Sequence, residues 1–143
     1  MQQNSEHVNI TLKTVIYDVD SGEQETQEQS FTGEWTKKGS IDVLKYKEVN
    51  EEVGTIQNMI MIRPERVSIK RTGVIQMNQQ FQLGQKTENI YQHMHGNMHM
   101  ETFTESISFK EDTMPRALDM NYTMKLNEQL ERKHQLKLQF STK

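Results

Sequence analysis

Val67 to Gly84, VSIKRTGVIQMNQQFQLG, separates into two interleaved sets of residues. One set runs Val67, Ile69, Arg71, Gly73, Ile75, Met77, Gln79, Phe81, Leu83. The other, Ser68, Lys70, Thr72, Val74, Gln76, Asn78, Gln80, Gln82, is polar except for Val74. Successive side chains of a β-strand point to opposite faces, so the pattern specifies one buried and one wetted face. A three-residue loop Arg71-Thr72-Gly73, with Gly73 at a positive φ, would pair Lys70 with Val74, Ile69 with Ile75 and Val67 with Met77. That register keeps the apolar residues together, whereas a two-residue loop would set Ile69 against Gln76 and spoil the face.

The same alternation extends outward through the chain. Residues 1–6 are polar and are expected to fray; a single domain is expected over 7–143. From His7 to Val19, Val8, Ile10, Leu12 and Ile16 form one stripe and Val15, Tyr17 and Val19 another, which suggests a bulge or a strand covered on both sides. Phe31, Gly33 and Trp35 mark the next strand. Ile41 to Val49 is a third, with a phase shift between Val43 and Leu44. Thr55 to Arg63 is apolar on both phases at Met59-Ile60-Met61-Ile62. Either its outer face is covered by a terminus or loop, the preferred reading, or it is a subunit interface. Thr87 to Met94 and Met98 to Phe109 pair around His95-Gly96. Leu118, Met120, Tyr122, Met124 and Leu126 form the cleanest alternation, and Leu136, Leu138 and Phe140 carry the last strand. The total is about ten strands at roughly 8–12-residue spacing with no helix-period segment of useful length. A sheet that long twists and removes its edges by closing, so the expected architecture is all-β, a single antiparallel meander barrel of about 8–10 strands.

Composition agrees. The chain has 143 residues, 33% of them hydrophobic, and a net charge of −3. The lean apolar share fits strands with one wet face, because the apolar residues are spaced rather than absent. The charge argues against a nucleic-acid binder that works through phosphate contacts. With no cysteine there is no disulfide, thiol nucleophile or thiolate metal site. MQQNSEHVNI has no basic or apolar leader pattern and no stretch approaches a membrane span, so a cytoplasmic protein without membrane contact is expected.

RTGVIQMNQQFQLG, followed by IYQHMHGNMHMETFTESI, resembles the YwiB-like family of small bacterial proteins, a domain of unknown function. The resemblance reaches ITLKTVI and LDMNYTMKL and so covers most of the chain. It implies a calycin-like barrel, related in shape to lipocalins and fatty-acid-binding proteins, with Arg71, Gly73 and Phe81 in the central hairpin and Tyr91 near the next. It implies bacterial, cytoplasmic context and no activity. Ligand binding is raised only by analogy of shape.

The last hairpin carries the sharpest chemical hypothesis. A three-residue loop at 127–129 pairs Leu126 with Leu130, Met124 with Arg132, Tyr122 with His134 and Met120 with Leu136. An inward Arg132 would be costly unless paired, and its planar fork suits a carboxylate or phosphate. Arg132, His134 and Tyr122 would anchor an anionic head group, with Met124, Arg71, Phe81 and Trp35 as further ligand-contacting candidates. The bland alternative starts the strand near Leu136 and leaves Arg132 and His134 at the rim. Met59, Met61, Met77, Met98, Met100, Met120 and Met124 either adapt to variable ligands or simply fill the core, which is the commoner use.

His93, His95 and His99 invite a metal reading: a three-residue loop Met94-His95-Gly96 would put His93 and His99 diagonally on one face. No carboxylate or thiolate completes that set at diagnostic spacing, so a His-rich hairpin tip is the preferred reading and no cofactor is expected. Nothing matches a nucleophile elbow, a phosphate loop or a metalloprotease helix, and no enzyme is expected. The reading that remains is a barrel binding a small amphipathic or anionic ligand. The alternative is a structural or interaction module with a filled barrel, with Met59–Ile62 as the surface for a homodimer.

Overall fold

The computed structural model describes residues 5–127 and 131–143. Ten strands follow one another: β1 Ser5–Asp18, β2 Gln24–Lys38, β3 Ile41–Asn50, β4 Gly54–Ile62, β5 Arg66–Gly73, β6 Met77–Gln82, β7 Lys86–His93, β8 Gly96–Lys110, β9 Arg116–Leu126 and β10 Arg132–Thr142. All belong to one antiparallel sheet ordered β6-β5-β4-β3-β2-β1-β10-β9-β8-β7. Its two ends are consecutive in the chain, and they meet, so the sheet curls into a nearly closed barrel. No described helix is long and apolar enough to cross a membrane.

The closing seam between β6 and β7 is not an ordinary ladder. Gln76 and Gln92 exchange main-chain bonds of 3.0 and 2.8 Å, and Gly84 donates to the Thr104 carbonyl at 2.9 Å. Between these points, the Thr87 hydroxyl bonds the Gln80 carbonyl and the Asn89 amide bonds the Asn78 carbonyl. Polar side chains of β7 therefore satisfy carbonyls that a missing ladder would leave bare.

The central hairpin departs from its expected register. Val67 pairs with Phe81 and Arg71 with Met77, so Thr72 to Gln76 form the connection. Two other contacts take up those residues. Gly73 stays in β5 opposite Ile56 of β4, and Gln76 reaches across to β7. The slip is by an even number of residues, so every side chain keeps its expected face. Gly73 is needed for closeness rather than for a tip: at φ 120°, a Cβ there would lie 2.3 Å from the Thr55 carbonyl oxygen.

Other expectations also need correction. β1 pairs without interruption along both β2 and β10, so it has no bulge, and Ser5 and Glu6 already pair with Thr36 and Trp35. Residues 1–4 lie outside the described set. β3 keeps a regular register with no phase shift: Asp42, Leu44 and Tyr46 point in, and Val43 is buried on the outer side. Among the described residues the register shift lies in β8, between Thr104 and Ser106. The double apolar phase of β4 resolves into core residues Ile60 and Ile62 and half-buried outward residues Met59 and Met61.

The core fills one end of the barrel. Val8, Ile10, Leu44, Ile62, Val67, Phe81, Leu118, Leu138 and Phe140 are all essentially inaccessible there. Trp35 caps this end, donating from Nε1 to Asp42 at 3.0 Å, with the Arg116 guanidinium 4.2 Å above its ring. Lys37 bridges the buried Asp42 and Glu111 at 3.0 Å each. Burial works against the Lys37 ammonium, but these two carboxylates outweigh it and hold its pKa above the ordinary lysine value.

Candidate functional site

The other end of the barrel is hollow. The inward positions there carry Gln27, Gln29, Glu48, Asn58, Arg71 and Gln79 instead of large apolar side chains, and polar or flexible side chains do not fill an interior to native density. About eight strands give an interior just wide enough for side chains to fill; ten leave more. The result is a cavity of about 500 Å³ to which all ten strands contribute. Its apolar wall is made by Leu12, Ile60, Ile69, Leu126, Leu136 and four methionines, Met77, Met98, Met100 and Met124. Tyr46, Tyr91 and Tyr122 complete the lining.

One polar cluster projects into this space. Arg71 donates from Nη2 to Glu48 Oε1 at 3.0 Å and from Nε to Asn58 Oδ1 at 3.1 Å; Asn58 Nδ2 in turn donates to Glu48 Oε1 at 3.0 Å. Register explains the meeting: Asn58 pairs with Tyr46 on β3 and with Arg71 on β5. Arg71 and Glu48 each keep 25% of their side-chain surface accessible, so the pair has free donors and lone pairs towards the cavity. On the neighbouring strand β6, Gln79 donates to Thr102 Oγ1 at 2.9 Å and touches Met124 Sδ at 3.4 Å.

Tyr46 and Tyr122 are held protonated. Burial, aided by Glu48 and opposed by Arg71, pushes Tyr46 up to about 12. Burial alone raises Tyr122 far above the ordinary phenol. His134 stacks on Tyr122 with ring centroids 5.0 Å apart; burial and then the neighbouring Arg132 push its pKa down to about 4, so it is neutral near pH 7.

The expected candidates are dispersed along the barrel. The register of the last hairpin is as expected, with Arg132 opposite Met124, His134 opposite Tyr122 and Leu136 opposite Met120; Leu130 and loop residues 128–129 fall outside the described residues. Arg132 nevertheless lies at the rim, 57% exposed, with Nε 4.0 Å from Asp18, because it is the first residue of its strand. Tyr122, Met124 and Arg71 line the cavity. His134 packs behind Tyr122, and Phe81 does not line the cavity but belongs to the packed core, edge-on to Tyr122 at 4.8 Å. Trp35 belongs to the filled end. Glu48 and Asn58 complete the polar cluster; the only sequence signal for them was a polar residue on the inward phase of an otherwise apolar strand.

The His-rich hairpin also differs. Its loop is Met94-His95, so His93 pairs with Gly96 and His99 with Ile90. A one-residue slip exchanges faces, and His93 and His99 end on opposite sides of the sheet. His93 lies near His95, ring centroids 5.2 Å apart. His99 instead joins Glu88 and Glu101, their ligand-type atoms all within 4.8 Å, and Lys86 Nζ sits 3.9 Å from each carboxylate. The Lys86 ammonium offsets part of the charge of these two carboxylates.

Residues 10–138 match the family model described as Domain of unknown function (DUF1934). The chain is 26% identical over 133 residues to "Uncharacterized beta-barrel protein YwiB" of Bacillus subtilis (strain 168), covering 93% of this chain and 92% of that relative. The crystal structure of ywiB protein from Bacillus subtilis superposes with a TM-score of 0.87 at 24% identity, over 99% of this chain and 95% of that one. The two barrels share one fold.

Proposed function

The chain belongs to the DUF1934 family, a domain of unknown function, and from the hollow end of its barrel we propose that it binds a small amphipathic ligand with an anionic head. A single observation carries this: a cavity of about 500 Å³ with an apolar, methionine-rich wall and one Arg71–Glu48–Asn58 cluster projecting into it. Ligand sites are typically apolar clefts of about 300–1,000 Å³ with a few convergent polar groups, which is the composition found here. Arg71 receives the head group, and the methionines adapt to the body. The likeness in shape to calycin-type barrels points the same way as analogy only.

The protein acts as a binder rather than a catalyst, in the cytoplasm. In support of a binder, Tyr46 and Tyr122 of the cavity and the neighbouring His134 titrate far from neutrality, whereas acid–base catalysis works best near it. Calorimetry with decanoate is expected to show one site per chain, weakened at least about tenfold by Arg71→Leu, since a charge-assisted hydrogen bond is worth about 1.5–3 kcal/mol. No heat from the unaltered protein would remove the proposal.

A second reading, an interaction module, rests on the outer strip Val43, Met59 and Met61 across β3 and β4. It predicts self-association in sedimentation that Met59→Lys with Met61→Lys abolishes.

A further inference from the structure

The wall around the hollow end is split in one place besides the β6–β7 seam. β2 pairs with β3 only from Gly33 to Lys38, opposite Tyr46 to Ile41. Beyond that point, Gln24–Thr32 of β2 keeps only β1, and Lys47–Asn50 of β3 keeps only β4. The fork therefore opens along the cavity, whose lining includes Gln27 and Gln29 on one side of it and Glu48 on the other. Phe31 stacks on Tyr46 at its base, centroids 4.6 Å apart. On the outside a second depression, about 660 Å³, starts at the same fork. Tyr46 and Asn58 border both spaces. The outer rim carries Lys45, Lys47 and Lys70, all exposed, against a single carboxylate, Glu34.

We infer that this fork is the ligand's way into the barrel and that Lys45, Lys47 and Lys70 select anionic amphiphiles as they arrive. The inference rests on the cavity-binding proposal above and adds a route and a charge preference to it. A cleft lined by one sign of charge raises the local concentration of the opposite ion and speeds association, an effect that salt weakens. The outer depression collects the anion, and the head then passes Tyr46 to reach Arg71. β2 needs only to swing away from β3, because no ladder bonds join them above Gly33.

The chain has no cysteine, so the fork can be locked specifically. Thr32 and Lys47 are the next facing positions beyond the Gly33–Tyr46 pair, and both border the outer depression. A Thr32→Cys, Lys47→Cys protein closed by a disulfide is compared with its own reduced form and with Val49→Cys, Thr55→Cys, which links strands already paired outside both spaces. The probe is 11-(dansylamino)undecanoic acid in stopped-flow fluorescence. The locked fork is expected to slow association at least tenfold, with reduction of the disulfide restoring it, while the control link leaves the rate unchanged. Lys45→Glu with Lys70→Glu is expected to slow association several-fold at low salt and little at high salt. A probe that binds the unlinked protein and enters the locked one at the same rate overturns the route and leaves the cavity proposal standing. A probe that does not bind the unlinked protein overturns both.

Discussion

At the scale of single residues, the Arg71–Glu48 pair is what would decide the ligand of the proposed site. Glu48 already neutralises Arg71, so a ligand anion competes with a carboxylate held 3.0 Å away. Glu48→Gln removes that competitor and is expected to tighten decanoate binding by about tenfold, or about 1.4 kcal/mol, in the same calorimetric titration. His134 makes a second test. It is neutral when folded and has its ordinary pKa when unfolded, so the unfolded chain binds the extra proton between pH 6.5 and about 4. Its contribution is complete above pH 6.5 and is lost as pH falls through that window, by up to about 1.4 kcal/mol per pH unit. Denaturant unfolding across this range should show a steeper pH dependence for the native protein than for His134→Phe. Arg71 was named from sequence as a ligand residue, yet its partners were not. Glu48 and Asn58 lie on other strands, and only the register of β3, β4 and β5 brings them together.

At the scale of elements, period-2 alternation made nearly every strand legible, because one face of each is buried. Registers were legible only where the loop was unambiguous. The β9–β10 pairing has the expected register from Met124–Arg132 onward. The β5–β6 pairing does not, because closure of the barrel at Gln76–Gln92 draws residues out of the hairpin, and no local pattern announces a contact made across the barrel. The Met94-His95 turn differs from expectation by one residue, which was enough to separate the histidines. Gly73 shows what closure requires of β5: Gly73→Ala would clash with the Thr55 carbonyl and occupy a disfavoured φ, and is expected to cost about 1–3 kcal/mol in urea unfolding. At the filled end, Asp42→Ala would leave the buried Trp35 N–H without its acceptor, at a cost of about 1–3 kcal/mol by the same assay. Neither change touches the cavity, so both should spare decanoate binding.

At the scale of the whole molecule, the barrel divides its labour along its axis. Aromatic and aliphatic side chains pack one end to stability, and the opposite end is left open by Gln, Glu, Asn and Arg on inward positions. The sequence shows the alternation that makes a barrel but not whether its interior is full. That depends on how many inward side chains converge at each level, which strand count and stagger determine. Methionine reports on this division directly. Met77, Met98, Met100 and Met124 line the cavity, while Met59, Met61, Met94 and Met114 lie outside it. The decisive measurement is a decanoate titration of protein labelled with ¹³C at the methionine methyl groups, followed by NMR. The four cavity methyls should shift together and saturate at one ligand per chain, with the four outer methyls unmoved. Spectra that do not change, or shifts confined to Met59 and Met61, would contradict a ligand-binding interior.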